Sequence, residues 1–144
     1  MTDDSVLARD LRLAVGRFAR RLRQLYAEDD GELTFLELAV LQRLKRAGPT
    51  SPGSLAKEEN VTSAAIAAVL RTLDQKGLVT RMRDPADGRR LVVTISAAGA
   101  VALSSREAAS VARVHDALVA ALDVDELQHL ARVIPLIEKV TPLL

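Results

Sequence analysis

Residues 78–96 read LVTRMRDPADGRRLVVTIS, two short β-branched apolar runs on either side of a turn sequence. Asp87-Gly88 is a strong turn signal, so the two runs form a β-hairpin. Everything around the hairpin is written in helical spacing. That restricts the chain to a mainly α fold carrying one small β element. The hairpin is also unusually charged: Arg81 and Arg83 precede the turn, and Arg89 and Arg90 follow it.

The helices can be placed by their caps and periods. Residues 6–27 put Leu7, Leu11, Ala14, Phe18, Leu22 and Leu25 on one face and Arg9, Arg12, Arg17, Arg20 and Arg23 on the other. Thr34 and Glu37 form a capping box, opening a helix to about Arg46 that AGP closes. Ser51 caps a short helix with Pro52 at its first position. Thr62 caps the next helix, and Gly77 stops it. Beyond the hairpin, residues 97–122 form a long alanine-rich helix. Asp123 and Glu126 open a last one, in which Pro135 is expected to kink or break the helix.

A short helix, a tight connection, a second helix and a hairpin make a winged helix-turn-helix. The second helix has about the right width for the major groove, and the hairpin reaches the backbone or the minor groove beside it. The charge distribution agrees. Residues 33–98 carry ten Lys/Arg against six Asp/Glu, whereas the net charge of the 144-residue chain is +1. Without cysteine there are no disulfides and no thiolate metal sites. The acidic N-terminus and the lack of a long apolar run point to the cytoplasm, away from any membrane. No phosphate loop, HExxH, Ser-His-Asp spacing or paired-carboxylate motif occurs, so an enzyme is not expected. His115 and His129 are isolated on helices and do not make a metal site, and no cofactor is implied.

The stretch DPADGRRLVVTISAAG has an Asp, an Arg two residues later, an apolar strand, then a Ser and a Gly. In this it resembles the wing signature of the MarR family of transcription regulators. LAKEENVTSAAIAAVLRTLDQKGLVTR is similar to that family's helix-turn-helix, and LTFLELAVLQRL to the helix before it. The resemblance covers nearly the whole chain. It implies one domain over 1–144, with a DNA-binding lobe at 33–98 and a helical dimerisation region at 5–28 and 97–144. It further implies an obligate homodimer that binds double-stranded DNA as a repressor and is released by a small aromatic or anionic ligand.

The same resemblance gives Arg89 the role of the wing arginine that enters the minor groove. Asp87 would orient it through a paired guanidinium. Gly88 stands where many members have another arginine. Arg81, Arg83 and Arg90 are either phosphate contacts or a solvated hairpin face. On the recognition helix Ile66, Val69, Leu70 and Leu73 point inward, and Ala64, Ala67, Ala68, Arg71 and Gln75 point outward. Alanine can touch a thymine methyl but reads no donor or acceptor. Base reading then rests on Ser63, Arg71 and Gln75, with Thr62 as a cap. A ligand pocket in the family's position would draw on Arg17, Phe18, Leu22 and Tyr26, residues that equally suit core and surface. The alternative function is a winged-helix module with weakened sequence reading, acting through protein partners or ligand sequestration.

Overall fold

A computed structural model describes residues 3–28 and 33–144, without the side chains of residues 26–28. The elements are α1 (Asp4–Glu28), α2 (Phe35–Ala47), α3 (Pro52–Glu58), α4 (Ser63–Gln75), β1 (Val79–Arg83), β2 (Leu91–Ile95), α5 (Ala97–Ala121) and α6 (Val124–Val140), then a 3-10 turn, Thr141–Leu143. Contacts group the chain into two compact units, Met1–Arg106 and Glu107–Leu144.

Side-chain oxygens that satisfy free backbone N–H groups start the helices. Asp3 Oδ1 accepts from the Ser5 N–H and hydroxyl, at 3.0 and 2.8 Å. These bonds, the backbone one foremost, hold the Asp3 carboxyl below its ordinary range. Thr34 and Glu37 exchange bonds of 3.2 and 3.0 Å as a capping box. Ser51 accepts from the Ser54 N–H, and Thr62 from the Ala65 N–H. Asp123 and Glu126 form the second box at 2.9 Å each way. Pro135 does not break its helix: α6 runs through it. Pro135 removes the N–H that would bond the Ala131 carbonyl. Both residues are exposed, so water can serve that carbonyl.

The core of the first unit gathers Leu41 and Leu44 of α2, Leu55 of α3, Ile66, Leu70 and Leu73 of α4, and Val93 of β2, each at most 2% exposed. Truncating any of these leucines to alanine would cost about 2–5 kcal/mol. The inward face expected for α4 is observed, with Val69 half-buried. The strands pair antiparallel, Val79 opposite Ile95 and Arg83 opposite Leu91. Thr50, just before α3, adds a one-residue bridge on the outer side of β2. Its N–H donates to the Val93 carbonyl at 3.2 Å, and the Val93 N–H donates back at 2.8 Å.

The hairpin is fixed at its base by four residues. Gly77 ends α4 with φ +71°, a conformation that side chains disfavour. The Ser96 hydroxyl donates to the Gly77 carbonyl at 2.6 Å, and its oxygen accepts from the Gly99 N–H at 3.0 Å, which opens α5. The Ser96 N–H donates to the Leu78 carbonyl at 3.0 Å. Gly99 lies so close that a Cβ there would sit 2.1 Å from the Leu78 carbonyl oxygen. In the second unit α6 has no buried residue, and Val124, Ile134 and Leu136 are 70%, 49% and 60% exposed.

Gly99→Ala therefore forces two backbone segments apart and should cost about 1–3 kcal/mol or more. Gly53→Ala, where a Cβ meets nothing within 4 Å, is the control. Thermal unfolding should show Gly99→Ala melting several degrees below the wild type and Gly53→Ala at or above it. Equal melting temperatures for the two variants would contradict this account of the junction.

Candidate nucleic-acid interface

The turn between α3 and α4 decides how α4 is presented. Asn60 adopts φ +53°, which a short polar side chain tolerates better than most. The Asn60 N–H donates to the Lys57 carbonyl and the Val61 N–H to that of Ala56, at 3.2 and 3.0 Å. Arg43 of α2 clamps this region. It forms a two-point ion pair with Glu58 at the end of α3, and its Nη1 donates to the Gly48 carbonyl at 3.2 Å. At the other end of α4, Lys76 Nζ lies 3.4 Å from Oε2 of Glu37, a carboxylate whose residue is only 5% exposed.

With its inner face locked, α4 leaves Ser63, Ala64, Ala67, Ala68, Arg71 and Gln75 exposed. Thr62 is occupied as the cap, as expected. This face is therefore short methyl groups with two long polar side chains, and it can make few hydrogen bonds to base edges.

The arginines of the hairpin divide into two groups. Arg81 Nη2 bonds Asp74 Oδ2 of α4 at 2.8 Å, tying the base of the wing to the recognition helix. Both side chains are more than a third exposed, and pairs of this kind contribute about 0.2–1 kcal/mol. A phosphate could compete for such an arginine. Arg83 Nη1 donates to the Gly88 carbonyl at 2.8 Å and braces the tip. Arg89 and Arg90, like Arg71, are exposed, and no hydrogen bond or ion pair to their side chains occurs among the described residues.

The tip is built differently from expectation. Its loop spans residues 84–90, and Gly88 does not use a positive φ. Aspartates make the turns instead. Asp84 Oδ1 accepts from the Ala86 N–H at 2.8 Å, Asp87 Oδ1 accepts from the Arg89 N–H at 3.1 Å, and the Arg90 N–H donates to the Asp87 carbonyl at 3.0 Å. Asp87 thus holds the backbone of Arg89, not its guanidinium. The side chain competes successfully because a carboxylate two residues back closes an Asx turn with no loss of reach.

The comparisons with known proteins agree with this geometry. Residues 33–91 match the MarR family. An uncharacterized HTH-type transcriptional regulator of Mycobacterium leprae is 36% identical over 100 residues, covering 69% of this chain and 68% of that protein. An HTH-type transcriptional repressor of Mycobacterium tuberculosis is 38% identical over 89 residues, covering 62% and 63%. A crystal structure of a transcriptional-regulator protein from Pseudomonas aeruginosa superposes with a TM-score of 0.83 at 32% identity, over 96% of this chain and 95% of that one.

The chain belongs to the MarR family. It is a DNA-binding winged-helix transcriptional regulator, not an enzyme. Among the described residues no helix is long and apolar enough to cross a membrane.

For a MarR-family regulator, the other residues singled out in the sequence are more scattered. Arg17 and Phe18 are exposed and Leu22 half-buried, all on α1, and the side chain of Tyr26 lies outside the described residues. His115 Nδ1 lies 3.2 Å from the neighbouring Asp116, and His129 is exposed. Sequence reasoning missed Arg43, Glu37 as an interior carboxylate, Asn60 and the Thr50 bridge. For Asn60 a signal was present, an asparagine placed directly between one helix and the cap of the next.

The role of Asp87 can be tested directly. An asparagine oxygen can still accept the Arg89 N–H, whereas alanine cannot. One such bond is worth about 0.5–1.5 kcal/mol. The Arg89 amide should therefore exchange with solvent roughly two- to tenfold faster in Asp87→Ala and near the wild-type rate in Asp87→Asn. Equal acceleration in both would restore the paired-guanidinium role.

Proposed function

We propose that the protein is a homodimeric repressor that grips DNA chiefly by the wing and by phosphate contacts, with α4 laid in the major groove. The observation that carries this is the pair of arginines at the wing tip, Arg89 and Arg90. Both are exposed and without a partner among the described residues, on a hairpin locked to α4 through Arg81 and Asp74. In this reading Arg89 enters the minor groove and Arg90 meets phosphates, with Arg81 tying the wing to α4 and Arg83 bracing the tip. Asp87 sets the direction of Arg89. Ser63, Gln75 and Arg71 offer the polar contacts to bases, and Ala64, Ala67 and Ala68 pack against thymine methyls.

The dimer is supported by apolar surface that the chain cannot bury. On α1, Leu7 and Phe18 are each 56% exposed, and on α5 Val111 and Val119 are 67% and 59% exposed. A two-fold partner is the common way to cover such faces. Residues 33–98 then form the DNA-binding lobe, and 5–28 with 97–144 the dimerisation region. Repression follows from occupying an operator, and a relative named as a repressor supports that sense. Release by a small aromatic or anionic ligand near Arg17, Phe18, Leu22 and Tyr26 completes the proposal. Such a ligand must bind two dimer shapes with different affinity. Protein-partner action without sequence reading draws support only from the alanine face, which leaves the partnerless arginines unexplained.

Two measurements test the proposal. Light scattering at micromolar concentration should give the mass of a dimer, and a monomer would contradict it. Arg89→Ala should weaken binding to every DNA sequence, with the largest loss at A/T-rich sites, where the minor groove is narrow. Arg90→Ala, which removes one phosphate contact per subunit, should shrink the log–log salt slope by about 1.8 per dimer. Unchanged affinity and slope would remove the wing from the interface.

A further inference from the structure

Among the described residues, the buried core holds one charged side chain, Glu37, 5% exposed. Its Oε2 accepts the Thr34 N–H at 3.0 Å and lies 3.4 Å from Lys76 Nζ. The first bond belongs to the capping box of α2, and glutamine closes such a box as well as glutamate does. The cap therefore accounts for the acceptor but not for the charge. A carboxylate taken out of water is costly unless a cation meets it. Lys76 is that cation.

Lys76 stands where α4 gives way to the wing. Its N–H donates to the Thr72 carbonyl at 3.0 Å, and Gly77 follows with φ +71°. The Gly77 and Leu78 N–H groups close the same turn on the Asp74 and Leu73 carbonyls, each at 2.9 Å, and β1 begins at Val79. At helical spacing Lys76 continues the inward row of half-buried Val69 and buried Leu73, on the side away from Arg71. Its ammonium thus ties this corner to the first turn of α2.

We propose that Glu37 and Lys76 are positioning residues for DNA binding. The ion pair fixes the last turn of α4 and the departure of the wing, and so sets the affinity for DNA without either side chain touching it. This role rests on α4 and the wing being the DNA interface. Removing a negative charge ordinarily strengthens a protein's hold on phosphates. Here removing one must weaken it. A loosened corner lets α4 and the wing take many relative orientations, and binding must then order them.

The test uses the full-length chain and a DNA duplex that the wild type selects from a random-sequence library. Glu37→Gln keeps an oxygen for the Thr34 N–H and loses the charge. Lys76→Met keeps the apolar stem and loses the ammonium. Fluorescence polarisation well below the melting temperature should show each variant binding roughly threefold more weakly per subunit, about tenfold for a dimer. The log–log salt slope should stay at the wild-type value, since no phosphate contact is lost. The double variant should be no weaker than the weaker single one, because both changes remove the same interaction. Amide exchange at Lys76, Gly77 and Leu78 should quicken roughly threefold or more in Glu37→Gln. Ile66, bonded to the Thr62 carbonyl at the other end of α4, should keep its rate.

Glu37→Gln binding at wild-type strength or tighter would overturn the proposal. So would losses that add in the double variant, or a slope smaller by about 1.8 per dimer in Lys76→Met, which would make Lys76 a phosphate contact. A wild type that binds no duplex would instead remove the interface reading beneath this role. Exchange then decides the corner alone, and unchanged rates at residues 76–78 would overturn the pair's part in it. If Glu37→Gln does not fold by circular dichroism, Lys76→Met decides, and unchanged DNA affinity in that variant contradicts the claim.

Discussion

A junction of four residues holds the DNA-facing parts of this molecule together. Gly77 and Leu78 leave α4 and enter the wing, and Ser96 and Gly99 leave the wing and enter α5. The Ser96 hydroxyl closes one side of the junction on the Gly77 carbonyl, and its oxygen caps α5 through the Gly99 N–H. Gly99 permits the approach because any side chain there would occupy the space of the Leu78 carbonyl. Each bond is modest by itself, about 0.5–1.5 kcal/mol. Their effect is geometric: recognition helix, wing and long helix share one rigid corner, so the arginines of the wing keep a fixed relation to the groove that α4 would enter.

From that corner the interface separates into positioning and reading. Arg81 and Arg83 spend their hydrogen bonds inside the protein, on Asp74 and on the Gly88 carbonyl. Arg89, Arg90 and Arg71 are exposed, with no side-chain partner among the described residues. The α4 face between them presents mostly methyl groups. Against DNA such a surface would offer few of the bidentate contacts worth ~1–3 kcal/mol each that distinguish one base from another. On the proposed reading, affinity would come from phosphates and selectivity from groove shape.

Much of the lobe could be read from local chemistry. Thr34 with Glu37, Ser51 before Pro52, Thr62 and Asp123 with Glu126 each announce a helix start, because capping depends on residues three apart in the chain. The inward row Ile66, Leu70 and Leu73 follows from helical period alone. What escaped is non-local or depends on a choice among equal partners. Nothing near Glu37 in sequence says that its carboxylate is interior and faces Lys76, thirty-nine residues away. Arg43 finds Glu58 across a fold that spacing does not encode. Asp87 could serve either the guanidinium or the backbone of Arg89, and only the loop geometry selects the backbone. Pro135 shows the opposite limit, since it does not end the helix where the orphaned carbonyl is open to water.

The central claim is that this regulator grips DNA by charge and groove shape more than by base edges. Its most direct test is binding to a randomised-site library at two salt concentrations. Selected sites should share A/T content and half-site spacing of about one helical turn, with affinity falling steeply as salt rises, by about 0.9 in log–log slope for each neutralised phosphate. A sharp palindromic consensus bound with a shallow salt slope would contradict it.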